Sequence, residues 1–266
     1  MAVLVDLTKC IGCRSCVVAC KLWNNLRYTK KRKSENLSET VAVEKDELDA
    51  ENWTVIQAKE FLTEDGKKLL RFVKKQCMHC LDPACASACF SKALRVNENH
   101  AVVYYPDLCV GCRYCMIACP FDIPKYQWDK TFPLIEKCQY CADRLAKNDM
   151  PACVSVCPIG ALRFGEREKL LRQAHAILRK NPKYINHIYG EKEAGGSSWL
   201  YISDQPFEKL GFKTDIEEVS PTTYTKSYLS KVPVLAPLWG LFLTGLAIYH
   251  GRKAKNDEKG KEEDDE

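Results

Sequence analysis

CVGCRYCMIACP, residues 109–120, places four cysteines within twelve positions and ends on a proline. Its first three thiols recur every three residues, and the fourth follows four residues later. The 266-residue chain contains sixteen cysteines, and all of them fall into four groups, which indicates shared binding sites. The groups are Cys10, Cys13, Cys16 and Cys20 (group one); Cys77, Cys80, Cys85 and Cys89 (group two); Cys109, Cys112, Cys115 and Cys119 (group three); and Cys138, Cys141, Cys153 and Cys157 (group four).

Three other uses of cysteine fit this pattern poorly. Disulfides between thiols three residues apart would close small, strained rings, and the N-terminal MAVLVDLTKC lacks the basic and apolar regions of a secretory signal. Zinc suits the paired C-x2-C and C-x3-C of group four, but groups one and three each carry a third closely spaced cysteine. Inert buried cysteines would not repeat at fixed spacing.

The spacing of group three instead predicts cubane [4Fe-4S] clusters. Thiols at three-residue intervals wrap one cluster, and in two-cluster ferredoxins the fourth cysteine of such a run ligates the neighbouring cluster. Between groups two and three, residues 93–96 and 101–105 predict a hairpin with a polar turn at 97–99, which would join the halves of one ferredoxin unit. The predicted ligand sets here are Cys77, Cys80 and Cys85 with Cys119, and Cys109, Cys112 and Cys115 with Cys89.

Groups one and four then pair with each other across the chain. AVLVDLTK (2–9) before Cys10 and PIGALRFGE (158–166) after Cys157 predict strands that can pair without a covalent turn. The predicted ligand sets are Cys10, Cys13 and Cys16 with Cys157, and Cys138, Cys141 and Cys153 with Cys20. The predicted fold class is α+β, with two interleaved ferredoxin-like 2[4Fe-4S] units and a C-terminal transmembrane helix.

These pairings divide the chain into an outer unit, residues 1–25 and 125–182, and an inserted unit, residues 77–124. Residues 26–76 predict a polar surface excursion, with a solvated loop at KKRK (30–33), and then a hairpin that turns at TEDGK (63–67). Lys21 stands where a ferredoxin run has proline, and we expect it to be tolerated because the chain leaves there on the excursion.

Residues 166–182 predict an amphipathic helix that ends at Pro182. His175 on this helix is interpreted as a surface or packed histidine rather than a ligand. The C-terminal extension, 183–231, contains the predicted strand WLYIS (199–203), whose aromatic side chains either dock a partner or pack on the ferredoxin body. The helix would bury one face, made by Leu170, Leu171, Ala174, Ile177 and Leu178.

VPVLAPLWGLFLTGLAIYH, residues 232–250, lacks Asp, Glu, Lys and Arg and is long enough to span a bilayer as a helix. A buried core helix is the alternative, but the tyrosines near both ends suit membrane interfaces. More basic residues follow the span than precede it, so we expect residues 251–266, a disordered acidic tail, in the cytoplasm. The cluster body would then lie on the outer, periplasmic face, exported with a signal-bearing partner. The preceding basic residues are Lys226 and Lys231, and the following ones are Arg252, Lys253, Lys255, Lys259 and Lys261.

The motifs QCMHCLDPAC (76–85), LCVGCRYCMIACPFDIPKY (108–126), KCQYCADRL (137–145) and PACVSVCPIGALRFG (151–165) resemble the four-cluster iron–sulfur subunits of molybdopterin oxidoreductases and membrane-bound hydrogenases. The resemblance covers essentially the whole chain. Residues 188–212, followed by a helix and an acidic tail, are most similar to the hydrogenase-2-type subunit. Two features differ from the family pattern: Phe90 replaces the proline expected after Cys89, and the twin-arginine signal usual in hydrogenase-2-type subunits is absent.

The resemblance implies an electron-transfer subunit with four [4Fe-4S] clusters that connects a large catalytic subunit, a hydrogenase or a molybdopterin enzyme such as formate dehydrogenase, to an integral membrane subunit. Such a subunit is no enzyme by itself. A free, membrane-tethered polyferredoxin and a zinc-bound scaffold remain as alternatives. Nucleic acid is not an expected partner, because the net charge is only +5 and the basic residues are interleaved with acids.

Overall fold

The computed structural model describes residues 1–27, 47–62, 66 and 68–264, with side chains up to residue 253. The solvated loop predicted at 30–33 and most of the turn predicted at 63–67 lie outside the described residues. The strands are β1 (Ala2–Asp6), β2 (Thr54–Leu62), β3 (Lys68–Gln76), β4 (Leu94–Val96), β5 (Val102–Tyr104), β6 (Lys125–Tyr126), β7 (Ile135–Glu136), β8 (Leu162–Gly165) and β9 (Trp199–Ile202). The helices are α1 (Ser15–Trp23), α2 (Ala84–Ser87), α3 (Tyr114–Ala118), α4 (Ala142–Leu145), α5 (Ala152–Ser155), α6 (Arg167–Lys180), α7 (Pro221–Leu229) and α8 (Val232–Asp264).

A three-stranded sheet in the order β8–β1–β9 ties distant parts of the chain together. β1 pairs antiparallel with β8, so that Val3 lies opposite Phe164, and it pairs parallel with β9, so that Val3 also lies opposite Trp199. Every residue of β1 is buried, as expected of a central strand covered on both faces. The predicted pairing of the strand before Cys10 with the strand after Cys157 is confirmed.

Side chains alternate across this sheet and separate two cores. One face packs against α6, whose buried side is the predicted one, with Ile177 only partly buried. The opposite face carries Val3, Val5, Trp199 and Tyr201, which pack in a core that includes Cys16 and Cys153. Trp199 and Tyr201 are fully buried, so of the two alternatives for WLYIS, packing on the cysteine-bearing body is the correct one.

Two predicted hairpins are present. β2 and β3 pair antiparallel from Thr54 opposite Gln76 to Leu62 opposite Lys68, and β4 and β5 pair from Leu94 opposite Tyr104 to Val96 opposite Val102. A third antiparallel pair, β6 with β7, was not predicted, because two residues in each strand are too few to show a period.

Lys21 does not begin a surface excursion, and that expectation is wrong. It lies inside α1 and is 1% exposed. Its Nζ donates hydrogen bonds to the carbonyl oxygens of Arg27, at 2.8 Å, and Glu51, at 3.3 Å. Lys21 therefore links the backbone at Arg27 to the backbone at Glu51. These two hydrogen bonds compensate for the burial of its ammonium group.

Residues from Pro221 onward form a second unit, which contains α7 and α8. Pro221–Lys253 is long and apolar enough to cross a membrane, and its most apolar 18-residue stretch has a mean hydropathy of 1.7. The predicted disordered tail is also corrected, because α8 continues to Asp264. Glu- and Lys-rich sequence propagates a helix that is already nucleated.

Candidate iron–sulfur sites

The loops of groups one and three have the same backbone conformation. Gly12 and Gly111 have φ values of 71° and 70°, and Arg14 and Arg113 have φ values of 60° and 61°. These left-handed residues turn the chain, and a helix starts directly afterwards, α1 at Ser15 and α3 at Tyr114. The tight turn brings the first three thiols of each group towards a common space, while the last cysteine lies at or beyond the helix's final turn.

The thiols of groups one and four gather around two pockets. The first pocket has apolar walls that include Val5, Ile56 and Leu162. The second is bordered by Tyr140 and Trp199. We call them site 1, lined by Cys10, Cys13, Cys16 and Cys157, and site 2, lined by Cys20, Cys138, Cys141 and Cys153.

The thiols of groups two and three gather in the same crossed manner. The thiols whose charges act on Cys80 are those of Cys77, Cys119 and Cys85. The thiols whose charges act on Cys115 are those of Cys89, Cys109 and Cys112. We call these sets site 3, Cys77, Cys80, Cys85 and Cys119, and site 4, Cys89, Cys109, Cys112 and Cys115. The structure thus brings together the four cysteine sets that the sequence predicts as ligands.

The donor set suits iron–sulfur clusters. Each site offers four thiol sulfurs, which are the ligands of [4Fe-4S] clusters. Burial raises the pKa of Cys16 to about 11 and the pKa of Cys20 and Cys85 to about 12, with neighbouring thiolates adding to the effect. Thiols in such surroundings hold their protons until a positively charged metal centre replaces them.

Cys89 differs from these thiols because hydrogen-bond donors surround its sulfur. Burial raises its pKa, but the Ser91 hydroxyl, 3.6 Å from the sulfur, and the backbone N–H groups of Leu94, Ala93 and Ser91 lower it, and the net direction is down. Donors that stabilise a free thiolate also stabilise negative charge on a bound cluster's ligand. Site 4 therefore contains a ligand position that favours additional negative charge.

The four sites form a contiguous row. Site 1 adjoins site 2, because the charge of Cys153 acts on Cys16. Site 2 adjoins site 3, because the charge of Cys77 acts on Cys138. Site 3 adjoins site 4, because the charge of Cys115 acts on Cys85. The two exposed cysteines among the sixteen, Cys13 and Cys112, belong to sites 1 and 4. The ends of the row thus reach the surface, and the middle is covered by protein.

Two buried lysines lie among these thiols, and sequence reasoning missed both. Lys74 of β3 lines sites 1 and 2 together. Lys137 precedes Cys138 and donates to the carbonyl oxygens of Val102 and Cys138, the latter at 2.8 Å. The only sequence signal for Lys74 is its place in a strand next to buried Val73, and Lys-rich strand ends are normally solvated.

His79 is a third buried group beside the sites. It is fully buried, its Nδ1 accepts a hydrogen bond from the Val102 N–H at 3.0 Å, and its ring stacks on Tyr140 with centroids 4.6 Å apart. Burial holds its pKa well below the usual value, and Lys137 adds to that effect. His79 therefore acts as a neutral packing group between sites 2 and 3.

Comparisons with known proteins show that the chain is similar to 4Fe-4S proteins. Residues 69–167 match the family model of the 4Fe-4S dicluster domain, and residues 1–22 match that of a 4Fe-4S binding domain. A protein of Nitratidesulfovibrio vulgaris is 45% identical over 255 residues, which cover 95% of this chain and 67% of that protein. Hydrogenase-2 operon protein HybA of Escherichia coli O157:H7 is 32% identical, over 97% of this chain and 86% of HybA. The nitrate-inducible formate dehydrogenase iron-sulfur subunit of Escherichia coli K12 is also 32% identical, over 97% of this chain and 89% of that subunit.

Proposed function

The chain belongs to the family of 4Fe-4S proteins that includes HybA and the formate dehydrogenase iron-sulfur subunits, and from this premise we propose that it is an electron-transfer subunit carrying four [4Fe-4S] clusters. Each bound cluster takes up and releases one electron. The observation that carries the proposal is the contiguous row of four thiol sets with its ends at exposed Cys13 and Cys112.

The four sites are the proposed ligand sets, and two ferredoxin-like units are interleaved around them. The outer unit, residues 1–25 and 125–182, holds sites 1 and 2, and the inserted unit, 77–124, contributes sites 3 and 4. The pairing of β1 with β8 supports this arrangement, because it supplies the outer unit with the strand pair that β4 and β5 supply to the inner one.

The protein's own residues hold the clusters, keep water from sites 2 and 3, and set the local charge. We assign no substrate chemistry to the chain itself. A catalytic subunit delivers or takes electrons at one end of the row, and a membrane quinone or cytochrome subunit does so at the other. A hydrogenase is the first candidate for the catalytic subunit. A formate dehydrogenase, or another molybdopterin enzyme, is the second, because the two kinds of relative are equally similar.

The apolar helix is the proposed membrane anchor. The basic flank after residue 250 supports a cytoplasmic tail and a cluster body on the outer face. Two reporters fused to the C-terminus, one active only in the cytoplasm and one active only outside, test this orientation. Activity of the outside reporter would contradict it.

Purification of the native protein from detergent-solubilised membranes tests the function. We expect a brown protein whose visible absorption bleaches with dithionite, with about sixteen irons per chain, because four clusters of four irons are proposed. Mass spectrometry should identify a large hydrogenase or formate dehydrogenase chain in the same fraction. A colourless, zinc-containing protein would refute the iron–sulfur assignment, and a stable isolated subunit would favour a free polyferredoxin.

A further inference from the structure

Lys74 is a buried cation whose contacts with the described residues are to neutral groups. It is 2% exposed, and its Nζ donates to the Thr54 hydroxyl at 2.5 Å and to the Gln76 side-chain oxygen at 2.9 Å. The ammonium group also lies 4.8 Å from the centre of the Trp199 ring. All three partners are neutral, and among the described residues no carboxylate forms an ion pair with Lys74.

Among the described residues, the largest charge effects on Lys74 come from cysteine sulfurs of two sites. Cys16 is in site 1, and Cys20, Cys138 and Cys153 are in site 2. Lys74 also lines both pockets. Lys74 thus stands between two thiol sets whose ligands come from opposite ends of the cluster-bearing chain.

A buried charge persists only where something compensates for its lost hydration. Hydroxyl, amide and aromatic groups compensate for part of that cost for Lys74, and the four-thiolate sets on either side would carry the opposite charge when they ligate a cluster. Reduction of a cluster adds one negative charge to its site. A fixed cation nearby therefore stabilises the reduced state more than the oxidised state, and it does so strongly because the surroundings are shielded from water.

We propose that Lys74 is the shared counter-ion of sites 1 and 2 and that it raises the reduction potentials of both of their clusters. The inference rests on the proposed function, since it concerns clusters bound at those sites. Because one charge serves two adjacent sites, it moves their potentials in the same direction and changes the difference between them less than a charge beside one site alone would. Lys137 lies instead against site 3 and the backbone of Cys138.

The test is a redox titration of the purified, cluster-loaded full-length protein, followed by electron paramagnetic resonance, with dithionite and mediators supplying electrons. In Lys74→Met, we expect two of the four midpoint potentials to fall. At a fixed potential near the midpoint, the reduced-to-oxidised ratio of these clusters should drop about tenfold, which corresponds to about 59 mV for a one-electron couple. The other two potentials should stay at their wild-type values.

Lys75→Met is the matched control, because it removes the same charge one position along the strand. The Lys75 side chain leaves the cluster side, where its ammonium group bonds the Gly211 carbonyl oxygen and lies 5.7 Å from the centre of the Phe212 ring. Lys75→Met should leave all four potentials in place, and Lys74→Arg, which keeps the charge, should resemble wild type. Unchanged potentials in Lys74→Met, or an equal shift of all four, would overturn the proposal.

Iron content separates failure of this proposal from failure of the proposed function. A wild-type protein without four clusters refutes the function, whereas a loaded wild type with unmoved potentials in Lys74→Met refutes only the role of Lys74. If Lys74→Met does not retain its clusters, Lys74→Gln decides, since it keeps a hydrogen-bonding side chain without charge. If Lys74→Met and Lys74→Gln lose iron but Lys74→Arg retains it, the result supports the role of Lys74 as a counter-ion. Iron loss in all three variants would overturn that role.

Discussion

Arg71 and Asp204 form a two-pronged ion pair that fastens the β2–β3 hairpin to the segment after β9. The Arg71 Nε lies 2.9 Å from Asp204 Oδ1, and Nη2 lies 2.5 Å from Oδ2, with 13% and 4% of the two side chains exposed. Hydrogen bonding to the carboxylate raises the pKa of Arg71, against the opposing effect of burial. The hairpin that carries Lys74 is thus fixed to the sheet that borders sites 1 and 2.

Asp204→Ala should lower the free energy of unfolding by about 3 kcal/mol, because it leaves a largely buried guanidinium without its partner. The effect is measured by a urea titration, in which the loss of cluster absorption monitors unfolding. Glu218→Ala is the control, since its pair with Lys192 is exposed and should contribute less than about 1 kcal/mol. Equal effects of the two substitutions would contradict a structural role for the Arg71–Asp204 pair.

Gly12→Ala should impair loading of site 1. A Cβ at Gly12 would lie 2.5 Å from ring carbons of Phe72, and the φ of +71° is unfavourable for alanine. Gly111→Ala is the matched control, because Gly111 occupies the same loop position with a φ of +70° but its added Cβ would meet only the Tyr126 hydroxyl at 3.4 Å. We expect loss of about one cluster's iron from Gly12→Ala alone, and equal iron content in the two variants would refute the steric argument.

Ser91→Ala should lower the potential of the site 4 cluster. The Ser91 hydroxyl lies 3.6 Å from the Cys89 sulfur, and a lost donor makes added negative charge at that ligand less favourable. We expect a shift smaller than the roughly 59 mV of a tenfold change, seen by redox titration. Ser155→Ala is the control, because Ser155 lies between Cys153 of site 2 and Cys157 of site 1 but donates to the Ala152 carbonyl oxygen at 2.9 Å. A shift in the control but not in Ser91→Ala would contradict the explanation.

The sequence was sufficient to predict the elements whose signals are local or strictly periodic. Cysteine spacing predicted which thiols come together, because three-residue intervals leave a short loop few ways to turn. The buried face of α6 followed from helical periodicity. The pairing of β1 with β8 was predicted despite a separation of more than 150 residues, because each strand adjoins a cysteine group whose partner thiols were already assigned.

The buried lysines could not be predicted, because their environment depends on tertiary structure. Lys74 is surrounded by groups from distant parts of the chain, and of its hydrogen-bonding partners only Gln76 lies near it in sequence. The distant groups are Thr54, Trp199 and the thiols of Cys16, Cys20, Cys138 and Cys153. Lys21 follows a cysteine in a polar stretch, and its carbonyl partners at Arg27 and Glu51 are brought to it by a segment without a regular pattern. Charged residues are rarely buried, so composition favours the opposite interpretation.

Cys16→Ser and Cys20→Ser should damage different clusters although the two residues are one helical turn apart in α1. Cys16 belongs with Cys10, Cys13 and Cys157, whereas Cys20 faces the pocket of Cys138, Cys141 and Cys153. A serine oxygen is a poorer iron ligand than a thiolate, so each variant should lose or alter the spectrum of one cluster, with three retained. Electron paramagnetic resonance of the reduced proteins distinguishes them, and Cys157→Ser and Cys141→Ser should reproduce the Cys16→Ser and Cys20→Ser spectra respectively. If Cys16→Ser and Cys20→Ser altered the same signal, the exchange of fourth ligands between sites 1 and 2 would be wrong.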